Sequence, residues 1–352
     1  MHANGIGQYL PILAIPKNDL SLRPELLQLF KESGIDSNDI CTLENIQDID
    51  PGRTSLFLVD HNVPRGSVND LFDIEKEATK VRVRGIIDHH EDEQLFASQV
   101  EAMERFDIRK VGSCASLVTQ WMMGQPSTQQ SSPTATNGPD LIRQNPQEAA
   151  GIAQLLLAAI LIDTASLSSS KTTDIDRSAV QFLTTLLPDF GTLDFYETIQ
   201  TAKMSIDGMT FRDLLRRDFK EYDSPLGKLG MSTIIRSIPD LKDHYEKLKD
   251  ELLAFLKERK LAVHIIMSVK VETESIQRGG LIVSNNEAVV NRFKEQGKEE
   301  FQITDAEGRL QELVKGLPDG WTGWVFEQGD LNSSRKQIAP FAMKVLKQIG
   351  KS

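Results

Sequence analysis

The sequence predicts an α/β protein whose first domain is doubly wound around a mainly parallel sheet and whose second domain is a smaller α/β unit. Strand-like apolar runs alternate with helical patterns over the first half of the chain. The chain has 352 residues, more than one hydrophobic core usually holds. Turn-forming residues at 188–192 separate the halves, so we place the domains at 1–190 and 195–352.

Two apolar runs of the first half end in acidic and histidine residues. The first run, LFLVDH, ends at Asp60, and the second, GIIDHH, ends at Asp88, His89 and His90. An uninterrupted apolar run of this length is typical of a strand buried on both faces of a parallel sheet. Because ligands bind at the carboxyl ends of strands in such sheets, we expect these side chains to share one edge.

A third apolar run, residues 155–162, ends at Asp163 and adds one more carboxylate. We interpret it as another strand, although the pattern from 148 to 162 also fits an apolar helix. One Asp-His pair alone is more simply explained as a cap of a strand or helix. Three such ends favour a metal site, and mixed carboxylate and imidazole ligands suit Mn²⁺, Mg²⁺ or Zn²⁺.

Two further segments of the first half bear on the site. Gly112 and Ser113 precede an apolar helical run and indicate a helix N-terminus, which either binds an anion or is a simple serine cap. The segment 124–146 is rich in Ser, Thr, Gln and Pro and predicts an exposed, disordered loop.

The second half carries two basic clusters among its predicted elements. One contains Lys220, within a helix predicted for 209–222, and the other contains Arg335 and Lys336. Such clusters are usually solvated faces of helices. His264 lies inside an apolar strand and is interpreted as a core residue rather than a ligand.

Composition limits the possible partners and compartments. The formal net charge of −11 argues against a nucleic-acid duplex as partner. No apolar run reaches the roughly 18–20 residues of a membrane span, and the first residues do not resemble a secretory signal. Two cysteines do not make a disulfide framework. We therefore expect a cytoplasmic protein without a membrane partner, and the sequence leaves protein partners open.

The motifs at the strand ends resemble those of a known superfamily. VDHN at 59–62 and IDHH at 87–90 are similar to the second and third motifs of the DHH phosphoesterases, and IDT at 162–164 is similar to the fourth. Within the superfamily the chain most resembles the fungal exopolyphosphatases. The second half resembles the DHHA2-type domain that these enzymes share with family II pyrophosphatases.

The resemblance implies a substrate class, cofactors and a place for the reaction. It implies an exopolyphosphatase that releases orthophosphate from the end of inorganic polyphosphate or another short phosphoanhydride, in the cleft between the domains. Two divalent cations, Mn²⁺ or Mg²⁺, would activate the attacking water. Lys220, Arg335 and Lys336 would bind substrate phosphate.

The resemblance also implies a role for each residue at the strand ends. Asp60 would bridge the two cations, and His89 and Asp163 would ligate one of them. His90 would face the terminal phosphate as a catalytic and substrate-binding residue. Asp88 would orient a histidine from behind it.

Two alternatives remain. One is a pyrophosphatase or a prune-like nucleotide phosphodiesterase of the same superfamily. The other is a weakly active or inactive binding protein, because the superfamily's first motif, of the type Asn/His-x-x-x-Asp-x-Asp, does not precede Tyr9. Without that motif we expect weakened or absent catalysis and a sheet opened beside the strand of Asp60.

Overall fold

The computed structural model describes residues 9–64, 67–77, 79–124, 130–131, 146–237, 245–272, 275–306 and 314–351. The chain divides into two compact units, Met1–Ser205 and Ile206–Ser352. Most of the loop predicted for 124–146 lies outside the described residues. No helix within them is long and apolar enough to cross a membrane.

The first unit contains a four-stranded sheet whose strands lie in chain order. The strands are β1 (Leu56–Val59), β2 (Val83–Asp88), β3 (Arg105–Ile108) and β4 (Gln130–Ser131). β1, β2 and β3 run parallel, and β4 pairs antiparallel with β3. Among the described strands β1 has one neighbour, so it forms an edge of the sheet.

Helices of the first unit pack beside the sheet and on one another. They are α1 (Pro24–Glu32), α2 (Ser67–Phe72), α3 (Ile74–Glu77), α4 (Cys114–Met122), α5 (Pro146–Asp163), α6 (Asp174–Thr185) and α7 (Thr192–Met204). Short 3₁₀ turns cover 17–22, 37–39, 43–48, 51–53 and 97–102. Leu157, Leu183 and Ile199 form part of the core that joins α5, α6 and α7.

The strand predicted for 155–162 is wrong, because these residues form the second half of α5. An apolar run alone does not distinguish a buried strand from a buried helix. Here Ala153, Leu157, Ala158 and Ile160 are all 0% exposed, so partners cover the helix on several sides. Asp163 therefore ends a helix, while Asp60 and Asp88 belong to strand ends.

The division between the units falls later than the predicted 190–195. α7 carries an apolar face with Phe195 and Ile199, which are 7% and 0% exposed in the core of the first unit. The helix stays with that unit because its apolar side chains are buried there.

The second unit is built on a six-stranded mixed sheet in the order β5-β6-β7-β8-β10-β9. Its strands are β5 (Phe219–Ser224), β6 (Gly227–Ile234), β7 (Leu261–Glu272), β8 (Ser275–Ser284), β9 (Ile303–Asp305) and β10 (Thr322–Gln328). Only β6 and β7 pair in parallel among these described strands. Its helices are α8 (Phe211–Arg217), α9 (Tyr245–Arg259), α10 (Glu287–Phe301) and α11 (Arg335–Ile349).

Both faces of this second sheet are covered. Ile265 belongs to the core under α10 and α11, and its neighbour Ile266 belongs to the core under α9. Successive side chains of a strand point to opposite faces, so β7 contributes to both cores.

The helix predicted for 209–222 is only partly right. The helix ends at Arg217, Asp218 leaves the helical conformation with φ −133° and ψ 63°, and β5 follows. β5 pairs with β6 through Lys220↔Met231 and its neighbours. Lys220 is therefore on an edge strand rather than a helix.

His264 is a core residue, as the sequence predicts, and it is 0% exposed. Its Nε2 lies 2.9 Å from the hydroxyl oxygen of Ser232, which itself donates to the Leu215 carbonyl at 2.7 Å. The hydroxyl has one hydrogen, so His264 Nε2 is the donor in the first bond. Burial lowers the pKa of His264 to about 3, which leaves the ring neutral in the folded protein.

We expect the stability of the chain to fall as the pH drops below about 6.5, the ordinary pKa of histidine. Below that pH, His264 binds a proton in the unfolded state but stays neutral in the folded state, where its pKa is about 3. The contribution of His264 to the free energy of unfolding is fully present above pH 6.5. It falls by about 1.4 kcal/mol per pH unit as the pH drops toward 3. Urea unfolding from pH 7.5 to 5 measures it, and His264→Gln should have a shallower slope. Equal slopes would contradict this.

We also expect Gly85→Ala to destabilise the first unit by about 1–3 kcal/mol. A Cβ at Gly85 would lie 2.3 Å from Cε2 of Phe57, whose ring stacks on Trp121 with centroids 5.7 Å apart. Gly151→Ala is the control, since its Cβ would meet nothing closer than 3.5 Å within a helix. The control should stabilise by up to about 1 kcal/mol in urea unfolding. Similar effects of both substitutions would refute this account.

Candidate metal centre

Asp60 follows β1 and turns the chain at the edge of the sheet. Its backbone is left-handed, with φ 67°, a conformation that aspartate adopts more readily than most residues. Its N–H still donates to the Ile87 carbonyl of β2 at 2.9 Å, which ties the turn to the neighbouring strand. The side chain is 61% exposed. Asp60 therefore presents its carboxylate beside the end of β2.

Asp88 ends β2 as a fully buried carboxylate that organises its neighbours. One oxygen accepts from the backbone N–H groups of His89 and His90 at 2.7 and 3.2 Å and lies 2.8 Å from His90 Nδ1. The other accepts from Asn62 Nδ2 at 2.6 Å. Burial alone would raise the pKa of Asp88, but the hydrogen bonds from His90 and Asn62 outweigh it and lower the pKa. Asp88 is thus an anion that fixes both histidines.

His89 presents one ring nitrogen to Asp60. Its Nδ1 lies 3.2 Å from the Val111 carbonyl, which only accepts, so Nδ1 carries the hydrogen. In the tautomer with its only ring hydrogen on Nδ1, His89 presents a bare Nε2, which lies 3.3 Å from Asp60 Oδ1. Two electron-rich atoms at this distance repel each other unless a proton or a cation lies between them.

A divalent cation fits this pair. Two ligand atoms bound about 2.1 Å from one ion, at angles between 90° and 109°, lie about 3.0–3.4 Å apart. The ligand atoms of Asp60, His89 and His90 all lie within 4.8 Å of one another. The carboxylate of Asp60 and the imidazole of His89 are donor types that suit Mn²⁺ or Zn²⁺, and His90 lies beside them.

Electrostatics also favours a cation at Asp60. Partial desolvation raises the pKa of Asp60, and the negative charges of Asp163 and Asp88 raise it further. His89 and His90 lower this pKa, but their effect is smaller than the sum of the others. The negative charges of Asp88 and Asp163 therefore act on the carboxylate of Asp60. A bound cation would relieve their repulsion.

Asp163 lies close enough to influence Asp60. It does not belong to the group of Asp60, His89 and His90, whose ligand atoms all lie within 4.8 Å of one another. Its Oδ2 accepts from the Ser113 hydroxyl at 2.7 Å. The three residues 165–167 that follow α5 are left-handed, with φ of 49°, 52° and 65°. This unusual turn ends the helix immediately after the carboxylate.

The helix N-terminus predicted at Gly112 and Ser113 exists, but an internal carboxylate occupies it. The N–H groups of Gly112 and Ser113 donate to Asp176 at 2.9 and 3.1 Å. Next to them, burial raises the pKa of Cys114 to about 12, so this residue is a neutral thiol. Two N–H groups at the helix start are therefore engaged within the protein, and burial disfavours a thiolate at Cys114.

The three predicted phosphate-binding cations lie in the second unit. Arg335, at the start of α11, donates from Nη1 to the Asp218 carbonyl and from Nη2 to Asp218 Oδ1, both at 2.7 Å. This brings the start of α11 to the start of β5, which carries Lys220. Lys220 and Lys336 are exposed, and neither forms an ion pair in the part of the chain that the structure describes.

Sequence reasoning missed the roles of three residues that hold the predicted ones in place. Asn62 holds Asp88, Ser113 holds Asp163, and Asp176 holds the Gly112–Ser113 turn. The spacing Thr173-x-x-Asp176 is a helix-start signal of the capping-box type, and that signal alone would identify Asp176 only as a cap.

Comparison with known families supports the resemblance predicted from the sequence. Residues 197–345 match the family model of the DHHA2 domain. A "Putative exopolyphosphatase" of Schizosaccharomyces pombe is 29% identical over 97% of this chain and 83% of its own length. "Exopolyphosphatase PRUNE1" of Mus musculus is 25% identical over 76% of this chain, which spans 53% of that protein.

Pyrophosphatases match as well. The manganese-dependent inorganic pyrophosphatase of Methanocaldococcus jannaschii is 24% identical over 76% of this chain and 80% of its own length. The crystal structure of a "putative family II inorganic pyrophosphatase" from Methanococcus jannaschii aligns with a TM-score of 0.50 and 21% identity, over 92% of this chain and 88% of that one. This structural likeness concerns the fold alone.

We expect His89→Gln and Asp60→Asn each to weaken Mn²⁺ binding by more than about ten-fold, because each removes a direct ligand. Titration calorimetry or the electron paramagnetic resonance of free Mn²⁺ measures the affinity. His61→Gln is the matched control, since His61 follows Asp60 but its Nδ1 lies 2.9 Å from the Val59 carbonyl and it is outside the cluster. Unchanged affinity in the first two variants would exclude this metal site.

Proposed function

We propose that this chain is a metal-dependent phosphoanhydride hydrolase that releases orthophosphate from the end of inorganic polyphosphate. The observation that carries the proposal is the facing pair of His89 Nε2 and Asp60 Oδ1, 3.3 Å apart, within a cluster that also contains His90. The similarity to hydrolases of phosphoanhydrides supports the choice of reaction.

Two divalent cations, Mn²⁺ or Mg²⁺, are proposed as cofactors. Asp60, His89 and Asp163 would hold them, and the similarity to manganese-dependent pyrophosphatases favours Mn²⁺. When bound, such cations supply Lewis acidity: they acidify water and neutralise charge on phosphate oxygens.

His90 is proposed to contact the terminal phosphate. Its ring is 61% exposed, and Asp88, beside Nδ1 at 2.8 Å, keeps it in one orientation. With Nδ1 bonded to the Asp88 anion, Nε2 is the ring nitrogen left to contact a phosphate oxygen. Asn62 keeps Asp88 in place, so the histidine is oriented by two successive hydrogen bonds.

Lys220, Arg335 and Lys336 are proposed to neutralise the leaving phosphate chain. Lys220 and Lys336 have exposed ammonium groups, and the bond between Arg335 and Asp218 anchors the two segments that carry them. Positive charge here would offset the formal net charge of −11, which otherwise repels a polyanion.

The preference for polyphosphate over pyrophosphate or a nucleotide rests on the extent of similarity. The match to the S. pombe protein named as an exopolyphosphatase covers 97% of this chain, compared with 76% for the M. jannaschii pyrophosphatase. Rates on pyrophosphate, triphosphate and long polyphosphate would separate the three activities.

We expect phosphate release from long-chain polyphosphate that needs Mn²⁺ or Mg²⁺ and stops with a chelator. His90→Gln should lower kcat by about 10²-fold or more, because it removes the proposed donor to the phosphate. A molybdate assay of released phosphate measures it. Mn²⁺ binding without release from any of these substrates would refute the proposed function and favour a binding protein.

Lys336→Ala should raise KM for polyphosphate several-fold, because an unpaired ammonium near a phosphate contributes mainly to binding. Lys344→Ala is the matched control, since Lys344 is an exposed lysine of the same helix α11. Equal changes in KM for both variants would mean that the effect is only that of net charge.

A further inference from the structure

The start of α4 is held by a carboxylate that no proposed step uses. Asp176, in the first turn of α6, is 0% exposed and accepts five hydrogen bonds. Oδ1 accepts from the Ser113 N–H at 3.1 Å and the Ser116 hydroxyl at 2.7 Å. Oδ2 accepts from the Gly112 N–H at 2.9 Å and from the N–H and hydroxyl of Thr173, both at 2.7 Å.

This carboxylate is charged. Burial by itself would raise the pKa of Asp176, but the hydrogen bonds from Ser116, Thr173 and Gly112 prevail and lower it. A buried anion with five donors is strongly localised, because moving it would leave several of them unpaired.

The turn that Asp176 holds contacts two of the candidate metal ligands. The Val111 carbonyl accepts from His89 Nδ1–H at 3.2 Å, and the Ser113 hydroxyl donates to Asp163 Oδ2 at 2.7 Å. The first bond decides which nitrogen of His89 is bare, and the second orients one carboxylate oxygen of Asp163. Both depend on the position of the same three residues, 111–113.

The turn has no room to shift toward Asp176. A Cβ at Gly112 would lie 2.7 Å from Asp176 Oδ2 and 2.7 Å from Cγ2 of Thr164. Thr164 directly follows Asp163, so Gly112 packs closely against both Asp176 and the chain that carries the ligand. We therefore expect a change in the carboxylate at 176 to alter the position of the turn.

We propose that Asp176 is a positioning residue that sets the His89 tautomer and the orientation of Asp163 through the 111–113 turn. The inference rests on the proposed function only where it treats His89 and Asp163 as metal ligands. Asp176 itself touches neither metal ligand, and α6 and α4 would thus jointly determine how the site binds its cation.

The test is Asp176→Asn, which keeps the size of the side chain but places an NH₂ group against N–H donors. We expect the affinity for Mn²⁺ to fall by about ten-fold or more, the usual effect of losing a partner behind a ligand. The affinity of Ser113→Ala for Mn²⁺ should also fall. In the double variant the losses should be less than multiplicative, since both act partly through Asp163.

Thr119→Val is the matched control. Thr119 is a buried residue of α4 whose hydroxyl donates to the Ala115 carbonyl at 2.8 Å, within the same helix. The Mn²⁺ affinity of this variant should stay within about two-fold of the unmodified chain, and urea unfolding of all variants compares their stability. A loss in Thr119→Val as large as that in Asp176→Asn would overturn the proposal, because general loosening of α4 would then explain both.

A second readout needs no metal. The ring ¹⁵N resonances of His89 should show the Nδ1–H tautomer in the unmodified chain and a mixture in Asp176→Asn. Gly112→Ala, which keeps every charge but forces turn and carboxylate apart, should do the same and replaces Asp176→Asn if that variant does not fold. Unchanged affinity and an unchanged His89 ring in these variants would overturn the inference.

The two proposals fail separately. If the unmodified chain binds Mn²⁺ without releasing phosphate, only the proposed function fails. If it binds no Mn²⁺, the metal site and the proposed function fail, and the His89 ring spectrum alone then supports or overturns the positioning role.

Discussion

The buried, ionised carboxylate of Asp88 is the interaction on which the candidate site depends. It is 0% exposed and is surrounded by donors from His89, His90 and Asn62. A buried charge is tolerated only when such partners satisfy it, so the partners are held as firmly as the charge is. The end of β2 is therefore a firm support for two imidazoles, and the exposed Asp60 carboxylate lies opposite His89.

The register of the first sheet brings that carboxylate within reach. Val59 pairs with Ile87, so the residues that follow the two strands emerge side by side. Phe57 lies over Gly85, where no larger residue fits, and stacks on Trp121 of α4. The same packing thus joins β1, β2 and α4, whose first turn contacts the site through Ser113. The candidate metal centre and the core of the first unit are in this sense one structure.

Two further aspartates, Asp176 and Asp218, bind hydrogen-bond donors of the protein itself. Asp176 satisfies the start of α4, and Asp218 engages both terminal nitrogens of Arg335. In each case a group that pattern alone would assign to substrate is partly engaged within the protein: two N–H groups before α4 in the first unit and two donors of the Arg335 guanidinium in the second. Lys220, Lys336 and His90 are the exposed members of the proposed phosphate-binding set.

The sequence by itself determined the strand ends and the residues on them, because an apolar run that stops abruptly at Asp-His-His is typical of a buried strand with ligands at its carboxyl end. It also determined the core position of His264 and the α/β class. It could not determine whether 155–162 is a helix, since an evenly apolar segment has no period to reveal and its neighbours decide its burial. Nor could it predict that Asp176, 63 residues after Ser113, would occupy the helix start. Bonds of that kind depend on which elements pack together, and only the tertiary structure decides that.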